Sequence, residues 1–394
     1  MELAVTGLGI VSGIGLNVAE NIAALKNGRH GMEKPQFFQT TLDVPVSEVK
    51  CTNKELAQLV GLQPNKTFSR TALLGMMAAK EALLDSKIDL QKIRVGLISS
   101  TSVGGMDLSE NFYIDFKDNH QRGRLRNVVQ HDCGASTAEI AKYLGVNGFT
   151  TTISTACSSA GNAVMLAARM IKYGLLDAAI VGGTDALCRF TLNGFGSLMI
   201  LDKQHCRPFD ASRAGLNLGE GAGYIVLQNA ETANRQPYCK LTGYANANDA
   251  YHQTGCSPEG NGAFKSMMEA LKMSGLEPSK IDYINVHGTG TPNNDLSEGT
   301  ALRRVFGDNV PPFSSVKAFI GHTLGASEGI EAVYSALSVS CGYIYPNLNF
   351  NTEIQEINLV PETKFSEGNT IRNVLSNAFG FGGNDTTLIF SKYC

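Results

Sequence analysis

No stretch of this sequence offers the roughly 18 uninterrupted apolar residues that a membrane-spanning helix requires. The first residues, MELAVTGLGIVSGIG, lack the basic segment and the pure apolar core of a secretory signal. The basic excess that is usual in nucleic-acid binders is also missing, because 33 Lys and Arg stand against 36 Asp and Glu, for a formal net charge of -3. We therefore expect a cytoplasmic protein with no membrane span and no nucleic-acid partner.

Paired cysteine motifs are absent as well, since the nine cysteines include no CxxC pair. The odd count and the wide spacing favour reduced thiols over a disulfide framework or a zinc site. The cysteines stand at positions 51, 133, 157, 188, 206, 239, 256, 341 and 394. We expect no bound metal, and a cysteine with a special role must be recognisable from its local sequence.

The composition is that of a compact, glycine-turned α/β enzyme, with 43% hydrophobic residues, 18% charged residues and 42 glycines. Predicted strands and helices alternate along the chain, which implies largely parallel strand pairing. The order of elements in the second half repeats that in the first, and the stretch 228–237 is the best boundary between them. The sequence predicts two pseudo-symmetric α/β halves, residues 1–230 and residues 238–394.

Some helices have informative patterns. The segment 163–171 is apolar almost all round, so the helix there is expected to be buried, and a second buried helix is predicted over 325–340. Ser136 and Glu139 form a capping-box pattern, which predicts that a short helix opens there and ends near Leu144.

The strongest single feature is Cys157 in the sequence ISTACSSA, where a predicted strand ends and a buried helix begins directly afterwards. The unpaired N–H groups of a helix start favour a thiolate over a thiol, which is how a cysteine becomes a nucleophile. The alternative is that Cys157 is a small buried hydrophobic residue, as we expect for the other eight cysteines.

Two histidines follow predicted strands and are flanked by glycine, in NVHGTGTPNND around His287 and in SVKAFIGHTLGA around His322. Glycine lets the backbone approach a ligand closely and lets an imidazole point into a cleft. A histidine in a loop is more often a surface residue, which is our expectation for the histidines at 30, 120, 131, 205 and 252. Metal binding by the pair is less favoured, because no HxxxH spacing accompanies it.

A glycine-rich segment, SNAFGFGGN, lies near the C-terminus at 376–384. It can present backbone N–H groups inward while its two phenylalanines close an apolar tunnel. A phosphate-binding loop is the competing interpretation, but a GxGxxG pattern followed by a helix is absent.

Taken together, these motifs resemble the β-ketoacyl-acyl-carrier-protein synthases, condensing enzymes of thiolase-like fold, and the similarity runs from end to end. The matching segments are VTGLGIVSGIG at 5–15, TACSSA around Cys157, CRPFDASRAGLNLGEGAG at 206–223, NVHGTGTPNND around His287, GHTLGA around His322 and SNAFGFGGND at 376–385. The resemblance implies two stacked five-stranded sheet units with helices between and outside them. It also implies a homodimer or a heterodimer with a related synthase.

The resemblance also implies residue roles. Cys157 corresponds to the family's nucleophile, His287 and His322 to its two catalytic histidines, and Lys317 to its supporting lysine. Two carboxylates have supporting positions, namely Glu331, which matches the lysine's partner, and Asp295 in the His287 motif. Phe379 matches the gating position, whose N–H forms an oxyanion hole with that of Cys157.

The implied reaction is a decarboxylative Claisen condensation. An acyl group is transferred to the cysteine, a malonyl extender loses carbon dioxide, and the resulting carbanion attacks the acyl-cysteine while the histidines hold the enolate charge. The substrates are acyl and malonyl thioesters on an acyl carrier protein. The enzyme has no cofactor of its own, since phosphopantetheine belongs to the carrier.

The sequence departs from the common family pattern in several places. The loop 117–135 lacks the usual proline-rich stretch, Val316 replaces a frequent threonine, and Asn384 replaces a frequent histidine. The segments TISTACSSA and DALCRFTLNGF (185–195) look more like synthases of aryl polyene pigments than like fatty-acid enzymes. Two alternatives share the fold: a non-catalytic chain-length-factor subunit, which usually lacks the nucleophile, and a degradative thiolase, which has a second catalytic cysteine in place of the second histidine.

Docking of an acidic carrier on a mildly acidic chain requires a local basic surface. The candidates are Lys66 and Arg70 at the start of the helix predicted over 67–86, together with the arginine loop, by which we mean Arg122, Arg124 and Arg126. The alternative is that the arginine loop is merely a solvated segment.

Overall fold

The computed structural model describes residues 1–63 and 66–393. The strands are β1 (Leu3–Ser12), β2 (Met32–Glu33), β3 (Val46–Ser47), β4 (Val95–Ser100), β5 (Thr150–Ile153), β6 (Ala178–Asp185), β7 (Gly221–Asn229), β8 (Cys239–Asn248), β9 (Tyr283–Asn285), β10 (Phe313–Ser314), β11 (Asn373–Gly380) and β12 (Asn384–Ser391). The α-helices are α1 (Val18–Lys26), α2 (Asn53–Leu59), α3 (Arg70–Ser86), α4 (Met106–Asp118), α5 (Cys133–Leu144), α6 (Ser159–Lys172), α7 (Arg189–Ser197), α8 (Asn261–Ser274), α9 (Pro292–Phe306), α10 (Lys317–Ile320) and α11 (Ser327–Cys341).

The two halves of the chain have the same strand order. The first half is arranged β5-β4-β6-β7-β1 and the second β10-β9-β11-β12-β8, so each contributes five strands. Strands β1 and β8 pair through Ala4 with Lys240 and Val5 with Cys239, which joins the two sets into one ten-stranded sheet. The repeated order is the pseudo-symmetry that the sequence predicts.

Strand pairing is more mixed than the sequence prediction of largely parallel pairs. Each half has two parallel and two antiparallel pairs. The prediction was wrong for the antiparallel pairs. Where β11 connects to β12 by a short turn, no crossover helix intervenes, and an antiparallel hairpin is the only pairing open to the chain.

Helices lie between the two strand sets and outside them. Helices α6 and α11 contact strands of both halves, whereas α3 and α5 cover the outer face of the first half and α8 packs outside the second, with α9 against it. The residues of α11 are almost all buried, as predicted for this segment. This arrangement encloses the start of α6, and thus Cys157, at the junction of the halves.

Helix α5 begins earlier than its capping-box pattern predicts. The helix starts at Cys133, and the cap is Asp132, whose side chain accepts from the N–H of Gly134. Ser136 lies inside the first turn, where its hydroxyl donates to the carbonyl of Cys133. A carboxylate four residues earlier, Asp132, therefore takes the capping position.

Four helices, α2, α4, α7 and α10, had not been expected from the sequence. Of these, α4 and α7 have no side-chain N-cap, and α7 contains Gly194 and Gly196. Both features remove the signals by which a helix is recognised from sequence.

In the part of the chain that the structure describes, no helix combines the length and apolar character needed to cross a bilayer.

Candidate active site

Cys157 lies in a tight turn between β5 and α6. Ala156, the residue before it, has a φ of 55°, a left-handed conformation that a non-glycine residue seldom adopts. The hydroxyl of Ser159 fixes the turn, because it accepts from the N–H of Thr155 at 2.8 Å and donates to the carbonyl of Ala156 at 2.5 Å. The turn holds the Cys157 side chain, which is only 5% exposed, in a defined position.

Burial determines the protonation of the Cys157 sulfur. It raises the pKa of the thiol to about 12, although the charge of Lys317 and the N–H groups of Phe381 and Cys157 itself act in the opposite direction. The expectation that the helix start makes a thiolate is therefore wrong for the resting enzyme. Helix α6 begins two residues later, at Ser159, and its start does not offset the loss of water around the sulfur.

His322 faces the sulfur, with its Nε2 atom 3.0 Å from Sγ of Cys157. Its other ring nitrogen, Nδ1, accepts from the N–H of Leu324 at 3.1 Å and lies 3.0 Å from the hydroxyl of Ser327. A neutral imidazole has one N–H. Since Nδ1 accepts, the proton resides on Nε2, and His322 points a hydrogen-bond donor at the sulfur.

His287 completes the pair, with its ring centroid 5.3 Å from that of His322 and the two planes at 85°. Its backbone is fixed by Glu298, which accepts from the N–H of His287 at 2.9 Å and of Gly288 at 2.8 Å. Asp295 holds the same loop by accepting from the N–H of Gly290 at 3.1 Å. Asp295 is thus a support of the loop and not a group that faces the cavity.

Both histidines are neutral. Burial and the charge of Lys317 lower the pKa of His322 well below its usual value. The same two causes, together with the neighbouring His322, lower the pKa of His287. Lys317 forms a buried ion pair with Glu331, with 2.6 Å between Nζ and Oε1. The partnership implied by the family resemblance therefore exists in the structure.

The backbone N–H beside the sulfur belongs to Phe381, not to Phe379 as the resemblance implied. Phe379 is part of β11, where it pairs with Asp385 of β12, and its ring lies 5.8 Å from that of His287. Phe381 lies in the turn after β11, where the backbone is free of the strand ladder. The prediction was wrong by two residues, because the motif FGFGG contains two equivalent-looking phenylalanines.

A cavity of about 280 Å³ leads to the sulfur. Cys157, His287, His322 and Phe379 are among its walls, with an apolar side that includes Phe195 and a polar side that includes Thr254 and Cys256. The Phe195 ring stacks on that of Phe381 at 5.6 Å. Sequence reasoning missed Phe195 and Cys256, because only the fold brings α7 and the segment after β8 to the cavity.

Asn384, one of the departures from the family pattern, connects β12 to the start of α6. Its side-chain oxygen accepts from Ser158 at 2.7 Å, from Asn162 at 2.7 Å and from Asn246 at 2.8 Å. An asparagine can therefore support the turn that contains the nucleophile.

The five candidate docking residues do not form one patch. Arg70 is buried and donates to both carboxylate oxygens of Glu220, so its assignment to a carrier surface was wrong. Lys66 pairs with Glu139 at 3.0 Å. The arginine loop, between α4 and α5, is exposed, and Arg122 pairs with Asp118 at 3.1 Å.

The sulfur and one nitrogen of each histidine lie within 4.8 Å of one another, close enough to ligate a metal ion. Two features fit a metal poorly. The proton that the Leu324 N–H places on Nε2 of His322 occupies the ligand position, and the ammonium charge of Lys317 acts on all three groups. The donor set therefore suits an anionic oxygen better than a cation.

The chain is similar to known condensing enzymes along its whole length. The family pattern described as "Beta-ketoacyl synthase, N-terminal domain" matches residues 1–233, and that described as "Beta-ketoacyl synthase, C-terminal domain" matches residues 238–351. A 3-oxoacyl-[acyl-carrier-protein] synthase 2 of Staphylococcus aureus (strain MRSA252) is 31% identical over 411 residues, covering 100% of this chain and 99% of the relative. The chain belongs to the beta-ketoacyl synthase family.

Solved structures agree. The ishigamide ketosynthase/chain length factor has a TM-score of 0.94 at 29% identity, covering 100% of this chain and 99% of that one. The ketosynthase ApeO in complex with its chain length factor ApeC, from Xenorhabdus doucetiae, has a TM-score of 0.85 at 29% identity, covering 100% and 98%. The thiolase-like α/β fold is thereby confirmed, and the enzyme is an acyltransferase of the 3-oxoacyl-[acyl-carrier-protein] synthase class.

Proposed function

We propose that Cys157 accepts the acyl chain and that His287 and His322 stabilise the enolate of the malonyl extender during decarboxylative condensation. The observation that supports this most directly is the 3.0 Å approach of His322 Nε2 to Sγ, at the end of a cavity that also contains a second neutral histidine. The first half of the chain, residues 1–230, supplies the cysteine, and the second half, residues 238–394, supplies both histidines.

In the first step, the sulfur attacks the thioester carbonyl of the acyl donor. A carbon–sulfur bond to Cys157 forms, the bond to the carrier's sulfur breaks, and the thiol proton leaves with the carrier thiol. An oxyanion develops on the carbonyl oxygen next to Sγ, and the N–H groups of Cys157 and Phe381, which both act on Sγ, are its proposed donors. Each such donor contributes about 2.7–4 kcal/mol to a transition state of this type.

In the second step, the malonyl thioester loses carbon dioxide and its oxygen becomes enolate-like. Two neutral imidazoles donate hydrogen bonds to that oxygen, and burial, together with the charge of Lys317, keeps the pKa of each histidine low enough that both stay unprotonated. The carbanion then attacks the acyl carbon, so that a carbon–carbon bond forms and the bond to Cys157 breaks. The sulfur leaves with the electron pair of that bond and takes up a proton from water. Nδ1 of His287 is buried and has no partner among the described residues, so the protein does not already occupy that atom.

The substrates of this proposal are acyl and malonyl groups on an acyl carrier protein, whose phosphopantetheine replaces a resident cofactor. We place the reaction in the cytoplasm, in keeping with the reduced thiols that the cysteine spacing predicts. The similarity to aryl polyene synthases remains a prediction, which the chain lengths and unsaturation of the products would test.

We also propose that the enzyme acts as a pair, with a second copy or a related synthase. Strand β5 is the end strand of the sheet, so one edge of its backbone is unpaired. In the segment between β4 and α5, Tyr113, Leu125 and Val129 expose 61%, 74% and 76% of their surfaces. An open sheet edge and large exposed apolar side chains each suit a partner subunit, and two solved relatives are named together with a chain length factor.

The test uses purified enzyme and radiolabelled acyl and malonyl carriers. Cys157→Ala should abolish both self-acylation and condensation, whereas Cys239→Ala, which removes a buried thiol from β8, should retain both. His287→Ala and His322→Ala should lose condensation more completely than acylation. Condensation by Cys157→Ala would refute the proposed nucleophile, and a wild-type enzyme that never self-acylates would favour the chain-length-factor alternative.

A further inference from the structure

Glu328 is a buried carboxyl group that the mechanism above does not use. It lies in the first turn of α11, a helix whose residues are almost all buried, and it is itself 0% exposed. Glu331 on the same helix has the ammonium of Lys317 as its partner, whereas Oε1 of Glu328 is buried without a hydrogen-bond partner among the described residues. A buried carboxyl costs free energy unless its contacts compensate for the lost water. The contacts of its other oxygen are therefore informative.

The second oxygen, Oε2, touches elements from both halves of the chain. It lies 2.5 Å from the hydroxyl of Thr386 in β12, and that hydroxyl lies 3.0 Å from the carbonyl oxygen of Ala378 in β11. On its other side is Gly161, in the first turn of α6, where a Cβ atom would overlap Oε2. One carboxyl group thus joins a helix of the first half to a hairpin of the second, and glycine at position 161 leaves room for it.

The sulfur and the imidazole of the proposed mechanism lie near these contacts in the chain. Cys157 lies four residues before Gly161. Helix α6 has no side-chain N-cap of its own, so the N–H groups of its first turn need partners from elsewhere, and the N–H of Gly161 acts on the Glu328 carboxyl. His322 lies six residues before Glu328, in a segment whose backbone donates to Asp185 of β6 at 2.7 Å. Since that bond holds the His322 segment to the sheet, the place of Cys157 relative to it depends on how α6 packs against α11.

We propose that Glu328 is a positioning residue that holds the start of α6 against α11 and β12 and so sets the distance between Sγ of Cys157 and Nε2 of His322. This inference rests on the proposed condensing function, in which the carbanion held beside the histidines must reach the acyl carbon on Cys157. A misplacement of about 1 Å can lower the rate of such a step about a hundredfold. Acylation is less sensitive, because its proposed oxyanion donors are the N–H groups of Cys157 and Phe381 and do not include His322.

The experiment separates the two steps. Acylation of Cys157 is followed by mass spectrometry, and the preformed acyl-enzyme is then mixed with malonyl-pantetheine to measure condensation in a single turnover. Glu328→Ala should lower the rate of condensation about ten- to a hundredfold and that of acylation less than about threefold. Burial raises the pKa of Glu328 well above its usual range, so the carboxyl is neutral and glutamine is its close isostere. Glu328→Gln, whose amide can donate to Thr386 and accept from Gly161, should keep both rates within about threefold of the wild type.

The control for an unspecific effect is Glu81→Ala on α3. It removes another carboxyl that holds backbone N–H groups, those of Ile10 and Val18 at 2.9 Å, outside the cavity. It should leave the ratio of the condensation rate to the acylation rate unchanged. Equal losses of both rates in Glu328→Ala, or a Glu328→Gln enzyme as impaired as Glu328→Ala, would overturn the inference. Failure of the acylated wild type to condense would instead refute the proposed function.

A second pair of variants keeps the inference testable even if Glu328→Ala does not fold. Gly161→Ala puts a methyl group where Oε2 lies and should cause the same selective loss of condensation. Its matched control is Gly194→Ala on α7, a helical glycine whose Cβ would meet no atom within 4 Å, and this variant should show no such loss. In crystal structures, the distance between Sγ of Cys157 and Nε2 of His322 should stay near 3.0 Å in Glu328→Gln and in Gly194→Ala. It should lengthen beyond hydrogen-bonding range in Gly161→Ala, and an unchanged distance there would contradict the proposal.

Discussion

The buried pair of Arg70 and Glu220 provides the sharpest test of which arginines are structural. The guanidinium makes three contacts of 2.6–2.9 Å with the Glu220 carboxylate and donates to the carbonyls of Val49 and Cys51 at 2.9 Å. Arg70→Ala leaves the Glu220 carboxylate buried without its cation, with only the N–H groups of Val49 and Leu187 as donors among the described residues. Breaking such a pair costs about 3–5 kcal/mol, which is a large part of the stability of an ordinary domain.

The assay is urea denaturation, combined with turnover of carrier-bound and carrier-free substrates. Arg70→Ala should reduce the free energy of unfolding by about 3–5 kcal/mol. It should also reduce turnover of the carrier-bound and the carrier-free substrate to the same extent. The matched control is Arg94→Ala, which breaks a pair with Asp177 that is 2.7 Å long but solvent-exposed, and it should leave unfolding nearly unchanged. If Arg70→Ala were as stable as Arg94→Ala and lost only carrier-dependent turnover, the structural role would be refuted and the docking role restored.

Three further predictions concern the cavity and its surroundings. The pKa values of His287 and His322 lie well below that of an ordinary histidine, so condensation should not decline with a midpoint near pH 6.5 as the medium is acidified. A decline with that midpoint in the pH profile of kcat/KM would contradict the neutral state of the two histidines. Phe195→Ala removes the ring that stacks on Phe381 and should slow self-acylation about two- to tenfold. Phe190→Ala, at an exposed position on the same helix, should not slow it. Equal acylation rates for the two variants in stopped-flow measurements would show that the stack is dispensable. Reversal of the arginine loop to Glu should weaken carrier-dependent turnover and its dependence on salt while sparing a carrier-free thioester; equal losses with both substrates would indicate a structural loop.

The parts of the fold that could be predicted from sequence are those with local signals. Helices α6 and α11 have clear apolar patterns, and α11, observed over Ser327–Cys341, lies close to the predicted 325–340. The antiparallel pairs could not be derived from strand–helix alternation, because pairing depends on how β7 and β8 return beside β1. Helix α7 was missed because it contains Gly194 and Gly196, which local propensity penalises, and because it has no side-chain N-cap.

In the candidate site, too, the residues with local sequence signals were predicted and those that depend on the assembled fold were not. Cys157, His287 and His322 were found because each lies in a short distinctive motif, and the fold brings them together. Arg70 was misplaced because its partner is 150 residues away in sequence. The rise in the thiol pKa follows from burial, which is a property of the assembled halves and has no local signal.

The junction between the halves has a consequence for how the polypeptide can be divided. Only two residue pairs join β1 to β8, whereas α6 and α11 each pack against strands from both sides. The halves are therefore held together mainly by contacts outside the β1–β8 ladder, among them the packing of these two helices and hydrogen bonds such as that of the Gly325 N–H to Asp185, and this association does not require the peptide connection across 231–237. A chain cut in that connection should reassemble from two separate fragments, which would make the enzyme a split reporter whose thiol and imidazoles meet only after complementation.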